Sequence, residues 1–140
     1  MQSKLPGDCR IIALTVRGDE LGKLIAVEET VDVPFAIARV YYIYGTQAGV
    51  VRGKHAHHQL QQLVVPLSGS CTMTLDDGEN RAALRLEDPA LALTLPPMVW
   101  HEMSDFSEDC VLMILADAPY DERDYIREYS EFRELCRTNV

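Results

Sequence analysis

The feature that most constrains this chain is a succession of short β-forming runs with turn signals between them and no helical period until the tail. The runs are RIIALTV at 10–16, KLIAVEE at 23–29, ARVYYIYG at 38–45, LQQLVVPLSG at 60–69, SCTMTL at 70–75, AALRLE at 82–87, ALALTL at 90–95 and CVLMILA at 110–116. The turn-like RGDELG splits the first two. DDGEN at 76–80 reads as a hairpin turn in which Gly78 is free to take positive φ. Regularly spaced short strands without intervening helices point to an all-β sandwich or barrel. The 140 residues suffice for one domain, 1–140, with a real core. Only DERDYIREYSEFRELCR at 121–137 has helical spacing, with Ile126, Tyr129, Phe132 and then Leu135 or Cys136 recurring on one side. Asp121 or Asp124 could cap that helix, which is expected to cover a barrel end or pack on the core.

Against this frame the histidines stand out. His55 and His57 are two apart in a segment, GVVRGKHAHHQLQQLVVPLSG, that reads as strand, so both imidazoles point to one face. His58 alternates to the other face and is expected in solvent. Arg52 adds a fixed charge just upstream. His101 follows a Pro-rich turn in PPMVWHEM, and His55, His57 and His101 could meet in one pocket. In ARVYYIYG, Arg39 and Tyr41 share a face.

Composition removes several classes of function. No apolar run approaches the length of a membrane span. The N-terminus, MQSKLPGDCR, lacks the order of a signal peptide. Cys9, Cys71, Cys110 and Cys136 are scattered, with no C-x-x-C pair, and Cys71 and Cys110 fall in apolar strands, as reduced core residues do. A net charge of −9 argues against nucleic acid or anionic membrane as partner. A cytoplasmic location is expected.

The spacing around the histidines is that of a cupin. Gly49 is followed by five residues, His55-Ala56-His57, four residues, Gln62, six residues and Gly69. In the second cupin motif, Pro-x-Gly-x-x-His, Pro96, Met98 and His101 hold the three places, so the glycine is replaced. The metal-binding Glu of that pattern is here a Gln, uncharged and a weaker ligand for a divalent ion. Three neutral histidines can hold zinc or iron, but the substitution favours a site without metal.

A narrower set of motifs runs through nearly the whole chain: RVYYIY at 39–44, RGKHAH at 52–57, LSGSC at 67–71, LDDG at 75–78, VWHEM at 99–103 and APYDERDYIREYSEF at 118–132. The chain thereby resembles the dTDP-sugar 3,4-ketoisomerases, cupin enzymes that act on dTDP-4-keto-6-deoxyglucose in the making of 3-amino-3,6-dideoxyhexoses. The resemblance implies a jelly-roll barrel with a short C-terminal helix, a dTDP-linked 4-keto-6-deoxyhexose as substrate, no cofactor, and a homodimer. An exchanged N-terminal strand would cover the open edge of RIIALTV in that dimer. The net reaction is redox-neutral and needs a base, a proton donor and stabilisation of an oxyanion. His55 is the candidate base, and His57 would donate to the oxygen or relay the proton. Tyr41 would hydrogen-bond the sugar. Arg39 and Arg52 compete for the diphosphate. Gln62 and His101 are expected against the substrate, and Trp100 is either a platform for the nucleotide base or a core residue. The chain departs from several relatives at DELGKL, where Leu21 stands in the place of an arginine; this bears on which C4 epimer is made. Other readings are a metal-dependent cupin of the three-histidine dioxygenase type, a dTDP-sugar 3,5-epimerase and a sugar-binding regulatory cupin.

Overall fold

The computed structural model describes residues 4–138. Strands β1 (Ile11–Ala13), β9 (Leu91–Leu95), β6 (Gln62–Ser68), β11 (Val111–Ala116) and β4 (Arg39–Tyr44) form one antiparallel sheet in that order. A second sheet runs β12 (Tyr125–Ile126), β5 (Arg52–His57), β10 (Trp100–Ser104), β7 (Cys71–Asp76) and β8 (Arg81–Leu86). A separate hairpin joins β2 (Arg17–Asp19) and β3 (Gly22–Leu24). The two large sheets face each other as a jelly roll, the architecture expected of a cupin.

Alternation builds the core. In β7, Cys71, Met73 and Leu75 are fully buried, and Thr72 and Thr74 on the other face are not. These side chains meet Val64, Leu93, Leu112 and Ile114 of the opposite sheet in one apolar cluster. In β6, by contrast, five consecutive residues from Gln62 to Pro66 are buried. The reason is a second apolar layer: Leu63, Val65 and Leu115 on the outer face of that sheet pack under Val33, Phe35 and neighbouring residues of the 25–37 segment. A strand covered on both faces loses its polar alternation.

Three elements differ from the sequence expectation. The first two runs shorten, because β1 ends at Ala13 and residues 25–29 leave the sheet to join the covering segment. The RGDELG stretch supplies β2 and the turn of the β2–β3 hairpin, and its second arm takes Lys23 and Leu24 from the following run. The tail is the largest correction. Its α-helix, α1, spans Tyr129–Thr138 only, preceded by a 3-10 turn at Glu122–Asp124 and by β12. Residues 125–126 extend because the free edge of β5 offers backbone partners, with Tyr125 opposite His57 and Ile126 opposite Ala56. Asp121 caps the 3-10 turn by accepting from the Arg123 N–H at 3.0 Å, and neither aspartate caps α1. α1 packs Phe132 onto the outer face of the second sheet, against Ala56, Trp100 and Ile126. No helix among the described residues is long and apolar enough to cross a membrane.

Candidate active site

The registers of β5 explain why the histidines converge. His101 of β10 lies directly opposite His55, and Tyr125 of β12 lies directly opposite His57. Cross-strand neighbours on one face touch. The His55 ring centroid is therefore 4.7 Å from that of His101 and 4.9 Å from that of His57, and Tyr125 is 4.4 Å from His57. The ladder slips by one residue between His101 and Met103, where Arg52 rather than Gly53 opposes Met103. Gly53 sits in that bulge at φ +80°, and a Cβ there would stand 2.8 Å from the Met103 methyl.

All of these side chains except His57 border a cavity of about 330 Å³ between the sheets. His55 and His101 line it from the second sheet, and Arg39, Tyr41 and Gln62 line it from the first. Arg52 reaches its mouth from the bulge. The Tyr41 hydroxyl donates to Gln62 Oε1 at 2.5 Å, and Gln62 is buried. The Gln that replaces the cupin Glu thus holds a phenol in the cavity. The Arg39 guanidinium lies 5.2 Å from the Tyr41 ring centroid and its Nε is buried without a partner, so this arginine retains unused donor capacity. His58 is exposed, as alternation predicts.

Burial and mutual repulsion set the protonation states. Burial lowers the pKa of His55 to about 2 and of His57 to about 3, with neighbouring imidazoles adding to the shift in both. Burial lowers His101 to about 4. All three are neutral at pH 7, the form in which an imidazole accepts a proton. An anion entering the cavity would push these values back up. Burial, with the neighbouring Tyr125, raises Tyr41 to about 12, so its phenol remains a donor. One nitrogen from each of His55, His57 and His101 lies within 4.8 Å of the other two, a spacing that could also hold a metal ion. The fourth cupin ligand position is Gln62, whose oxygen is occupied by Tyr41.

The structure corrects one expectation about the site and bears on a second. Trp100 does not reach the cavity; it faces outward beneath α1, 5.3 Å from the Tyr129 ring and 5.8 Å from Phe132, with its indole N–H on Glu102. Strand alternation is the cause: His101 points in, so Trp100 must point out. His57 shares the inward face with His55 but lies behind it, buried, and borders a second, smaller cavity. Direct donation to a bound sugar is thereby less suited to it than relay. Sequence reasoning missed Tyr120 and Tyr125, which complete the cavity wall, and Asp124 beside His57. The signal of Tyr125 and Asp124 was hidden inside what reads as one continuous helix, and Tyr120 lies just before it. The extended Tyr-Ile pair at 125–126, preceded by two aspartates with turn propensity, is the local hint. The glycine missing from the second cupin motif leaves a trace as well: Met98 keeps a positive φ of 60°.

Fold and site together define a cupin barrel with a cavity lined by imidazole, phenol and guanidinium groups. Residues 7–137 match the family described as FdtA: WxcM-like, C-terminal, and the chain belongs to that family. A curated protein of Aneurinibacillus thermoaerophilus, TDP-4-oxo-6-deoxy-alpha-D-glucose-3,4-oxoisomerase, is 51% identical over 123 residues, covering 87% of this chain and 88% of its own. A crystal structure of the 3,4-ketoisomerase QdtA from Thermoanaerobacterium thermosaccharolyticum is similar at TM-score 0.92 and 36% identity, over 95% of this chain and 96% of that one. In that crystal a histidine-to-asparagine variant is in complex with TDP-4-keto-6-deoxyglucose. A 3,4-ketoisomerase from Helicobacter canadensis is similar at TM-score 0.90 and 38% identity, over 93% and 98% of the two chains. The present chain is a sugar-nucleotide 3,4-ketoisomerase, an intramolecular oxidoreductase, and these relatives favour that reading over a dioxygenase or a 3,5-epimerase.

Proposed function

We propose that this isomerase acts on dTDP-4-keto-6-deoxyglucose and moves its carbonyl from C4 to C3. The C4 ketone acidifies the proton on C3. Neutral His55, lining the cavity, takes that proton, and the electron pair forms an enediolate across C3 and C4. Return of a proton to C4 with loss of the proton on the C3 oxygen leaves the ketone at C3. The Tyr41 phenol turns its one proton from Gln62 Oε1 to the developing oxyanion. His57 relays the proton behind His55, and His101 contacts the sugar. Arg39 and Arg52 bind the diphosphate through their guanidinium forks. The reaction is redox-neutral, so no nicotinamide is involved. The 3-keto product suits a 3-aminotransferase.

The observation that carries this reading is the meeting of His55, His101, Tyr41 and two arginines at one cavity in a chain 51% identical to a named oxoisomerase. The test is to incubate chelator-treated protein with dTDP-4-keto-6-deoxyglucose, trap the product with a 3-aminotransferase and assign C4 by NMR. In D₂O, label washes into C3 with the wild type, and His55→Asn abolishes most of that exchange, by roughly 10²–10⁴-fold. Exchange at the wild-type rate in the variant removes His55 as the base.

We further propose a cytoplasmic homodimer with exchanged N-terminal strands. β1 pairs with β9 of its own chain, Ile11 opposite Leu93, at the edge of its sheet, and the exchange would replace that pairing with the same one in a neighbouring subunit. The β2–β3 hairpin supports association, since Leu21 at its turn is 95% exposed and Leu24 is 58% exposed. Light scattering on the full chain and on one lacking residues 1–16 tests this. A monomeric, fully active full chain at micromolar concentration refutes the dimer, and a dimer that survives truncation refutes the exchange.

A further inference from the structure

His57 poses a problem that the reaction scheme leaves open. It is 3% exposed, and neither ring nitrogen has a hydrogen-bond partner. A relay needs one defined nitrogen to accept a proton and the other to hold one. Buried imidazoles meet this requirement when an outer group fixes the tautomer.

Asp124 is placed to do so. Its Oδ2 lies 3.5 Å from His57 Nδ1. The carboxylate is not free to wander: Oδ1 accepts from the Gln59 backbone N–H at 2.9 Å and Oδ2 from the Leu60 N–H at 3.1 Å. The Asp124 carbonyl accepts from the His58 N–H at 3.0 Å. The residues that follow His57 are thus wrapped around this one aspartate. Its side chain is 21% exposed and borders a separate cavity of about 210 Å³, so water reaches the carboxylate without crossing the main cavity. The gap of 3.5 Å exceeds a normal hydrogen bond, and catalytic contacts commonly tighten when substrate binds.

We propose that Asp124 is a positioning residue of this isomerase, holding His57 as the Nδ1–H tautomer so that Nε2 presents its lone pair to the histidine cluster. The proposal rests on the isomerase reading for its kinetic consequence and is independent of it for the tautomer. Without the carboxylate the imidazole can carry its proton on Nε2 instead, which blocks acceptance on the cluster side. In the serine-protease triad, loss of the equivalent carboxylate leaves geometry intact and lowers kcat by about 10⁴-fold through the wrong tautomer.

Asp124 also clamps the 58–60 turn, and the experiment separates the two roles. ¹⁵N-histidine NMR of the wild type reads the His57 tautomer directly, with His57→Asn assigning the resonance. Nδ1–H is expected, and a predominant Nε2–H form overturns the proposal whether or not the protein isomerises the sugar. Asp124→Asn turns an amide or a weaker neutral acceptor toward His57. The Nδ1–H population is expected to fall, and kcat to drop roughly 100-fold or more with KM within about threefold. In a His57→Asn background the same Asp124→Asn change is expected to cost less than about threefold. An equal loss of kcat with and without His57 means that Asp124 only clamps the turn, and overturns the proposal. A wild type inactive on dTDP-4-keto-6-deoxyglucose refutes the substrate reading and leaves the tautomer result to stand or fall alone.

Discussion

Replacing Tyr41 by Phe removes one oxygen and tests two separate statements about it. The hydroxyl is the donor to Gln62 Oε1 at 2.5 Å, and Gln62 is 2% exposed. Without the hydroxyl, that acceptor is left buried at the wall of the cavity. An unsatisfied buried polar group costs about 1–3 kcal/mol. Because water can enter a cavity of about 330 Å³, the lower end of that range, about 1–1.5 kcal/mol, is expected. With an m-value of about 2 kcal/mol/M, the urea midpoint should fall by roughly 0.5–0.8 M. Gln62→Leu removes the orphaned acceptor, so the double variant should recover most of what Tyr41→Phe loses. A coupling energy below about 0.3 kcal/mol in that cycle would contradict the hydrogen bond as the link between the two residues. Activity is read in parallel. If the phenol donates to the enediolate, kcat falls about 10²–10³-fold. A stable Tyr41→Phe enzyme with wild-type kcat would refute the catalytic assignment and leave Tyr41 as a wall of the cavity.

Acid should destabilise the protein before its carboxylates titrate. The pKa values of His57 and His101 are lowered by folding, so below about 6.5 the unfolded chain binds protons that the folded one refuses. Stability is full above about pH 7.5 and declines through pH 6.5 down to about pH 3–4; at pH 5.5 these two residues cost about 2–3 kcal/mol. Urea titrations at pH 7.5 and 5.5 measure this, and coincident midpoints would show that the histidines carry protons in the fold. Activity is expected to survive chelation, and elemental analysis to find no stoichiometric metal; activity lost with one zinc or iron per chain and restored on its return would reverse that expectation. Trp100→Phe should cost stability under α1, on the order of 1–2 kcal/mol, and leave the KM for the sugar nucleotide within twofold. A KM raised tenfold or more would place the indole in the nucleotide site after all.

Some properties of this protein are set by local pattern and so are written in the sequence. Period-two alternation places His55 and His57 on one face, sends His58 to solvent and pairs Arg39 with Tyr41, because a strand offers only two faces. Spacing alone puts Gln62 at the cupin ligand position. The same rule, applied at 100–101, already requires Trp100 and His101 to point opposite ways, which leaves the indole outside the cavity. Other features depend on partners far away in the chain. The β5 edge turns Tyr125 and Ile126, whose own spacing is helical, into strand, because unpaired backbone groups at a sheet edge outweigh a weak local preference. That exchange brings Tyr125 over the histidines and Asp124 beside His57. The depth of His57 behind His55, the engagement of Gln62 by Tyr41 and the depressed pKa values come from the closing of two sheets on one another. Desolvation and cross-sheet contact exist only in three dimensions. The sequence determines which groups can face the cavity; tertiary packing decides which of them are neutral, which touch, and which are left without a partner.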